Sequence, residues 1–234
     1  MEYGILVVLM LLILIVLKWI LGVRLKELKE FLKIERLDKI AEKFPDNVSI
    51  CRTFLKKLQN EDVKIVENEN TDTSLYNVVG NTITIAAIQT NYARVQTIAH
   101  ECIHSVQKKK VLLCNFIVSN IYLFYFIICV ILTLVGILKP SMMQLVVLLL
   151  IGLIYYIIRS YLETEAMTKA RYLAEEYMTE NNYVTKEETQ ELLNKYDQLN
   201  TIGIPFVNYQ LLFTVLSRTI LYGITCLGIL FFKG

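Results

Sequence analysis

Histidine is almost missing from this chain, whose 234 residues contain only two. They are His100 and His104, and with Glu101 they form the order H-E-x-x-H inside "TIAHECIHSVQKKK". The scarcity restricts the chemistry open to them. A catalytic zinc usually has three protein ligands and a water, and no third histidine exists to complete the set. The extended metzincin pattern is excluded, because it needs a glycine and a third histidine where Gln107 and Lys110 stand. A third ligand must therefore be a carboxylate or a thiolate. Cysteine is also sparse: Cys51, Cys102, Cys114, Cys129 and Cys226 form no CxxC pair and no even framework, as expected of free thiols in a reducing or lipidic setting. A strong charge imbalance is absent too. The net charge is +2 and the basic residues gather on no single face, so nothing points to nucleic acid.

What is present gives the two histidines a purpose. On an α-helix, positions i and i+4 share one face, so both imidazoles can reach one metal ion with Glu101 at its flank. The motif is short enough to arise by chance, and its surroundings must decide. Cys102 lies about 200° around the helix from His100, which makes it a core residue rather than a ligand.

At 55% hydrophobic residues and a mean hydropathy of +0.47, the composition is that of a membrane protein. Four apolar runs are long enough to cross a bilayer: Gly4 to Val23, Val111 to Leu138, Met142 to Ile158, and Phe213 to Phe232. The first has no basic n-region and no small-residue cleavage site, so it is expected to be an uncleaved anchor. Arg24, Lys26, Lys29 and Lys33 follow it, and Lys108 to Lys110 precede the second run, which places the segment between them on the cytoplasmic side. The expected organisation is an anchor (1–23), a cytoplasmic domain with a β region and the HExxH helix (24–110), a transmembrane hairpin (111–158), a cytoplasmic helical segment (159–204) and a final transmembrane helix (205–234). Arg218 falls near the inner end of the last run, where it can snorkel; alternatively 205–217 lies along the surface and the span is shorter.

Within the cytoplasmic part, "RLKELKEFLKIERLDKIAEKF" alternates charge with apolar residues at helical spacing and predicts one amphipathic helix ending before Pro45. Asp46, Asn47 or Ser49 is placed to cap a second helix through Leu58. "VKIVE" predicts a strand, "NENTDTSLYN" a polar loop and Asn81 to Ala87 a second strand. That last run is either an edge strand holding an extended substrate by its main chain or an ordinary hairpin strand. The metal helix is expected to begin near Tyr92.

After two spans the chain returns to the same side with "RSYLETEAMTKARYLAEEYM". Glu163 and Glu165 compete for the role of third ligand. Glu165 has Lys169 at i+4, a favourable ion pair that already explains it. Glu163 instead starts a stripe of small residues, Ala166, Ala170 and Ala174, that lets another helix approach closely. Glu163 is the favoured ligand and Glu165 the reserve.

An anchor, a short β region leading into HExxH, a membrane hairpin, a Glu-x-x-Ala helix and a final span together resemble the YugP-like neutral zinc metallopeptidases of bacterial membranes. That family's helix reads Glu-Phe-x-Ala-Ser; here Glu163-Thr164-Glu165-Ala166-Met167 matches at Glu163 and Ala166 and departs at Thr164 and Met167. The HtpX and CAAX-processing peptidases carry Glu-x-x-Ala-Asp, which Met167 breaks. The resemblance implies a mainly α membrane protein of about four transmembrane helices with a cytoplasmic α+β, zincin-like catalytic layer. It implies one Zn2+ per chain on His100, His104 and Glu163, with Glu101 as general base, in a bacterial plasma membrane. The implied substrates are peptides or membrane proteins, met at membrane-proximal or unfolded cytoplasmic segments. No oxyanion donor can be assigned, and Arg171 and the fourteen tyrosines are better read as packing or surface residues. An intramembrane protease is a rival reading, opposed by the three lysines directly after Gln107. A membrane scaffold with a structural or vestigial metal site is the non-catalytic alternative.

Overall fold

Backbone N–H and C=O groups in a long apolar run need partners within the run itself, and a helix supplies them. The computed structural model describes residues 2–31, 34–71 and 73–233 and is mostly helical, at 74%. In chain order the elements are α1 (Glu2–Ile20), α2 (Leu25–Glu30), α3 (Glu35–Ala41), α4 (Asn47–Lys57), β1 (Lys64–Asn68), β2 (Leu75–Asn77), β3 (Thr82–Ala86), α5 (Arg94–Val106), α6 (Lys109–Leu134), α7 (Met142–Asn181) and α8 (Lys186–Lys233). Four of these, α1, α6, α7 and α8, are long and apolar enough to cross a membrane.

Three boundaries differ from the sequence expectation. The second run stops at Leu134 rather than Leu138, where Gly136 takes φ +77° and the Ile137 N–H turns back to Leu132 O at 3.0 Å. The third and fourth runs are each only part of a longer helix. Residues 142–158 continue without a break to Asn181, and Pro205 to Ser217 lies inside the continuous α8 rather than forming a segment of its own. Neither junction contains a residue that forces a stop except Pro205, which α8 accommodates within its length.

The chain's contacts divide it into two compact units. The first comprises residues 1–23, 113–161 and 205–234. Its interior holds Tyr122, Leu145, Leu148, Val215, Tyr222 and Cys226. A β-carbon on Gly152 would come within 2.7 Å of Val215 Cγ1, so α7 and α8 approach closely only because that residue has none. The Arg218 guanidinium stacks on the Tyr122 ring at 4.8 Å, giving this half-buried cation a partner. Large apolar side chains on the outer faces, Trp19, Phe124, Ile157 and Phe231 among them, are left exposed, as suits contact with lipid.

The second unit comprises residues 24–112 and 162–204. Its sheet has the order β1-β3-β2, with β1 parallel and β2 antiparallel to β3. Strand β3 is therefore central, flanked on both edges, with Ile83 and Ile85 fully buried. The edge-strand expectation for Asn81 to Ala87 is corrected, and the hairpin alternative describes the β2–β3 pair. The polar loop "NENTDTSLYN" is corrected too, because it contains β2; its Asp72 lies outside the described residues.

The single amphipathic helix expected over residues 24–44 is instead α2 and α3, with Leu32 and Lys33 outside the described residues. Burial explains why they are two. Leu37, Ile40, Ala41 and Phe44 enter the core, whereas α2 buries no residue, so α3 follows its own apolar face. Asp46 caps α4 by accepting from the Ser49 N–H at 2.9 Å. The fully buried Arg94 guanidinium donates to Asn47 Oδ1, Ala41 O and Phe44 O at 2.8–2.9 Å. It thus locks the start of α5 against the end of α3.

Candidate metal centre

Helix α5 is fixed by its apolar face. Val95, Ile98, Ala99, Cys102 and Ile103 recur at i, i+3, i+4, i+7 and i+8, and all are buried in the core of the second unit. Cys102 packs there with its Sγ 3.6 Å from that of Cys51, both thiols being free. The opposite face is left to His100 and His104.

Helix α7 supplies the facing group. Ala166, Ala170 and Ala174 are all fully buried, so the small-residue stripe is a packing surface, and Glu163 stands one turn before it. The three side chains converge. His100 Nε2 and His104 Nε2 are 3.0 Å apart, and Glu163 Oε2 and Oε1 lie 3.3 Å and 3.6 Å from them respectively. A tetrahedral site with bonds of about 2.05 Å has edges of about 3.3 Å. With one ligand atom taken from each residue the three lie within 4.8 Å of one another, so one ion can be held after a small inward shift. His100, His104 and Glu163 form the metal-competent group found among the described residues. Two imidazoles and one carboxylate suit a first-row transition ion better than magnesium or calcium, which prefer all-oxygen shells.

The hydrogen bonds around His104 determine its tautomer. Gln107 Nε2 donates to Leu162 O and to Glu165 Oε2, each at 2.9 Å, and both partners can only accept. The Gln107 amide is thereby oriented, and its Oε1 must accept from His104 Nδ1–H at 2.8 Å. In the neutral ring the Nε2 lone pair of His104 then faces the cluster, and in the imidazolium an Nε2–H faces Glu163. Burial alone would lower the His104 pKa, but the hydrogen bond and charge of Glu163, with smaller help from Glu101 and Gln107, raise it.

Glu165, the reserve ligand, lies outside the group. It accepts from Lys169 Nζ at 2.6 Å as well as from Gln107. The Lys169 hydrogen bond, opposed by burial and aided by Gln107, holds its carboxyl below the usual glutamate range.

Glu101 is buried beside the cluster. Burial pushes its pKa above the usual glutamate value; the charges of His100 and His104 oppose this, Glu163 adds to it, and a hydrogen bond from the Tyr76 N–H works downward. That last contact brings β2 to the site. In the β2–β3 register Tyr76 stands opposite Ile83, and its backbone is near enough to act on the Glu101 carboxyl.

Arg171 is not near the cluster but pairs with Asp197 at 2.7 Å and with Glu175, a surface network. Two residues of the site escaped the sequence argument. Gln107 entered it only as a break in the metzincin pattern, although its place three residues after His104 puts it within reach of that imidazole. Tyr76 carried no sequence signal, because a backbone N–H contributes through position rather than side-chain type. No family model, curated protein or solved structure matches this chain.

Proposed function

We propose that the chain is a membrane-bound, zinc-dependent metalloendopeptidase. The observation that carries the reading is the convergence of His100 and His104 of α5 with Glu163 of α7, their ligand atoms within 4.8 Å of one another, with the buried carboxylate of Glu101 at its side. The resemblance to the YugP-like neutral zinc metallopeptidases supports the same assignment, with the site on the cytoplasmic side of a bacterial plasma membrane.

Zinc held by these three residues would polarise a peptide carbonyl and acidify a water. Glu101 takes the proton from the attacking water on a carboxylate oxygen and delivers it to the leaving nitrogen. His104 is kept in the Nε2-ligating tautomer by Gln107. Strand β2, antiparallel to its neighbour and beside Glu101, is the zincin-like edge that would align an extended substrate by main-chain hydrogen bonds. Recognition of that kind reads backbone more than side chains, and it fits unfolded or membrane-proximal segments as substrates.

The test separates base from ligands. Purified wild type should hold about one zinc per chain, and His100→Ala with His104→Ala should abolish it. Glu101→Gln keeps the volume and all three ligands, so zinc content should stay while cleavage of dye-labelled unfolded casein falls at least about a hundredfold. Glu163→Gln should lose metal and activity together. Undiminished activity in Glu101→Gln would remove the peptidase reading and leave a membrane scaffold with a structural metal.

A further inference from the structure

Strand β1 forms the sheet edge opposite β2, and half of its hydrogen-bonding groups face outward. Lys64 pairs with Thr82 in the parallel register, and the Lys64 N–H donates to Asn81 O at 3.0 Å. Alternation along the strand then turns the N–H and C=O of Ile65 and Glu67 to the open edge. A groove of about 860 Å³ runs there between α4 and β1. Its floor is apolar, with Leu55 and Val63 buried and Ile65 half-buried. Its rim is cationic: Arg52, Lys56 and Lys64 are exposed, against Glu61 as the one acidic lining residue. Among the described residues none of the three cations makes an ion pair. The neighbouring Lys57, by contrast, is committed to Glu176 and Glu180 at 2.7–2.8 Å.

We infer that this groove docks an extended acidic polypeptide segment, which adds a fourth strand to the sheet along β1. Outward N–H and C=O groups at strand spacing are matched by another main chain, and the apolar floor accepts alternate side chains of a guest strand. The unpaired cations then select the sign of the remaining side chains. A second copy of β1 would bring a second set of the same cations, which disfavours self-pairing. The groove shares no residue with the metal centre, so the inference stands whether or not the chain is a peptidase. Its role is to hold an acidic segment of a partner protein at a place separate from the metal ligands.

The experiment uses the full chain in zwitterionic nanodiscs and fluorescence anisotropy. The probe is a labelled peptide alternating glutamate with valine and threonine. Its controls replace glutamate by lysine, or methylate alternate backbone nitrogens. The acidic peptide should bind, and each control should bind at least about tenfold more weakly, since one loses charge matching and the other main-chain hydrogen bonds. The combined reversal Arg52→Glu, Lys56→Glu and Lys64→Glu should lose the acidic peptide and gain the lysine one. Ile65→Pro should also lose binding while sparing the β1–β3 ladder, because the N–H it removes faces outward. If that variant misfolds, the charge reversal and the methylated peptide carry the test. The inference is overturned by equal binding of acidic and basic peptides, by undiminished binding of the methylated one, or by retention of the acidic peptide after charge reversal. Binding of phosphatidylserine vesicles but no peptide would also overturn it, in favour of a lipid-surface patch, as would dimerisation through β1.

Discussion

Two residues with equal chemistry, Glu163 and Glu165, show how far local spacing can discriminate. Lys169 sits one turn after Glu165 and occupies it, while Glu163, one turn before the buried alanines of α7, meets two imidazoles. Both facts can be read from i, i+3 and i+4 relations, as can the inward turn of Cys102. Gln107 could not be valued in the same way, because its three partners include a backbone carbonyl and a carboxylate from α7, far away in sequence. Its position predicts a specific phenotype. Gln107→Leu removes the acceptor that holds the His104 tautomer and should weaken zinc binding by about tenfold to a hundredfold in chelator competition. Glu165→Gln retains an acceptor for Gln107 and should leave zinc affinity near wild type. Equal affinity in both variants, each shown to be folded by its near-ultraviolet dichroism, would deny Gln107 any positioning role.

Among the elements, legibility followed length. The long apolar helices and α5 carry enough periodic residues to declare themselves, whereas β2 is three residues set in a polar stretch and stabilised by its pairing with β3. The break between α2 and α3 was hidden for a related reason: no proline or glycine marks it, and the core contacts of Leu37 and Ile40 decide it. The entry to α4 was legible, since Asp46 carries both the cap and its geometry. Asp46→Ala should cost about 1 kcal/mol of stability, read as a lower melting temperature in detergent at neutral pH. The hydrogen bonds from the Ser49 side chain and backbone lower the Asp46 pKa in the folded state. A carboxylate with a lowered folded-state pKa binds fewer protons folded than unfolded, so its contribution is full above the ordinary aspartate range and is lost as pH falls through the lowered value. The gap between wild type and Asp46→Ala should therefore be constant near neutrality and close on acidification below the usual aspartate range. A gap that widens in acid would mean the cap acts through something other than its ionised form.

For the whole molecule, the site imposes a condition on topology that does not depend on which side is which. The two histidines precede α6 and Glu163 lies within α7 beyond its apolar part, so the ligands can meet in a membrane only if α6 and α7 both cross and return the chain to one side. The proposed cytoplasmic side rests on charge. Fifteen of the 24 basic residues lie in 24–110 and five in 159–195, whereas Lys139 and Lys233 flank the other ends of the apolar runs. The continuity of α7 and α8 was not legible, because a helix entering water changes its composition while keeping its hydrogen bonds, and composition was the only sequence marker of an end. Labelling tests the arrangement with little disturbance. Of the five thiols only Cys114 is exposed, so Cys114→Ser provides a quiet background for single cysteines at Glu69, Lys139 and Lys186, all exposed positions. With an impermeant maleimide on intact bacterial cells, position 139 should label at once, and positions 69 and 186 only after permeabilisation. Reversed labelling of all three would keep the metal group intact and move it to the outer surface, overturning the cytoplasmic assignment. Positions 69 and 186 on opposite sides would do more, since no carboxylate of α7 could then reach His100 and His104 through a bilayer.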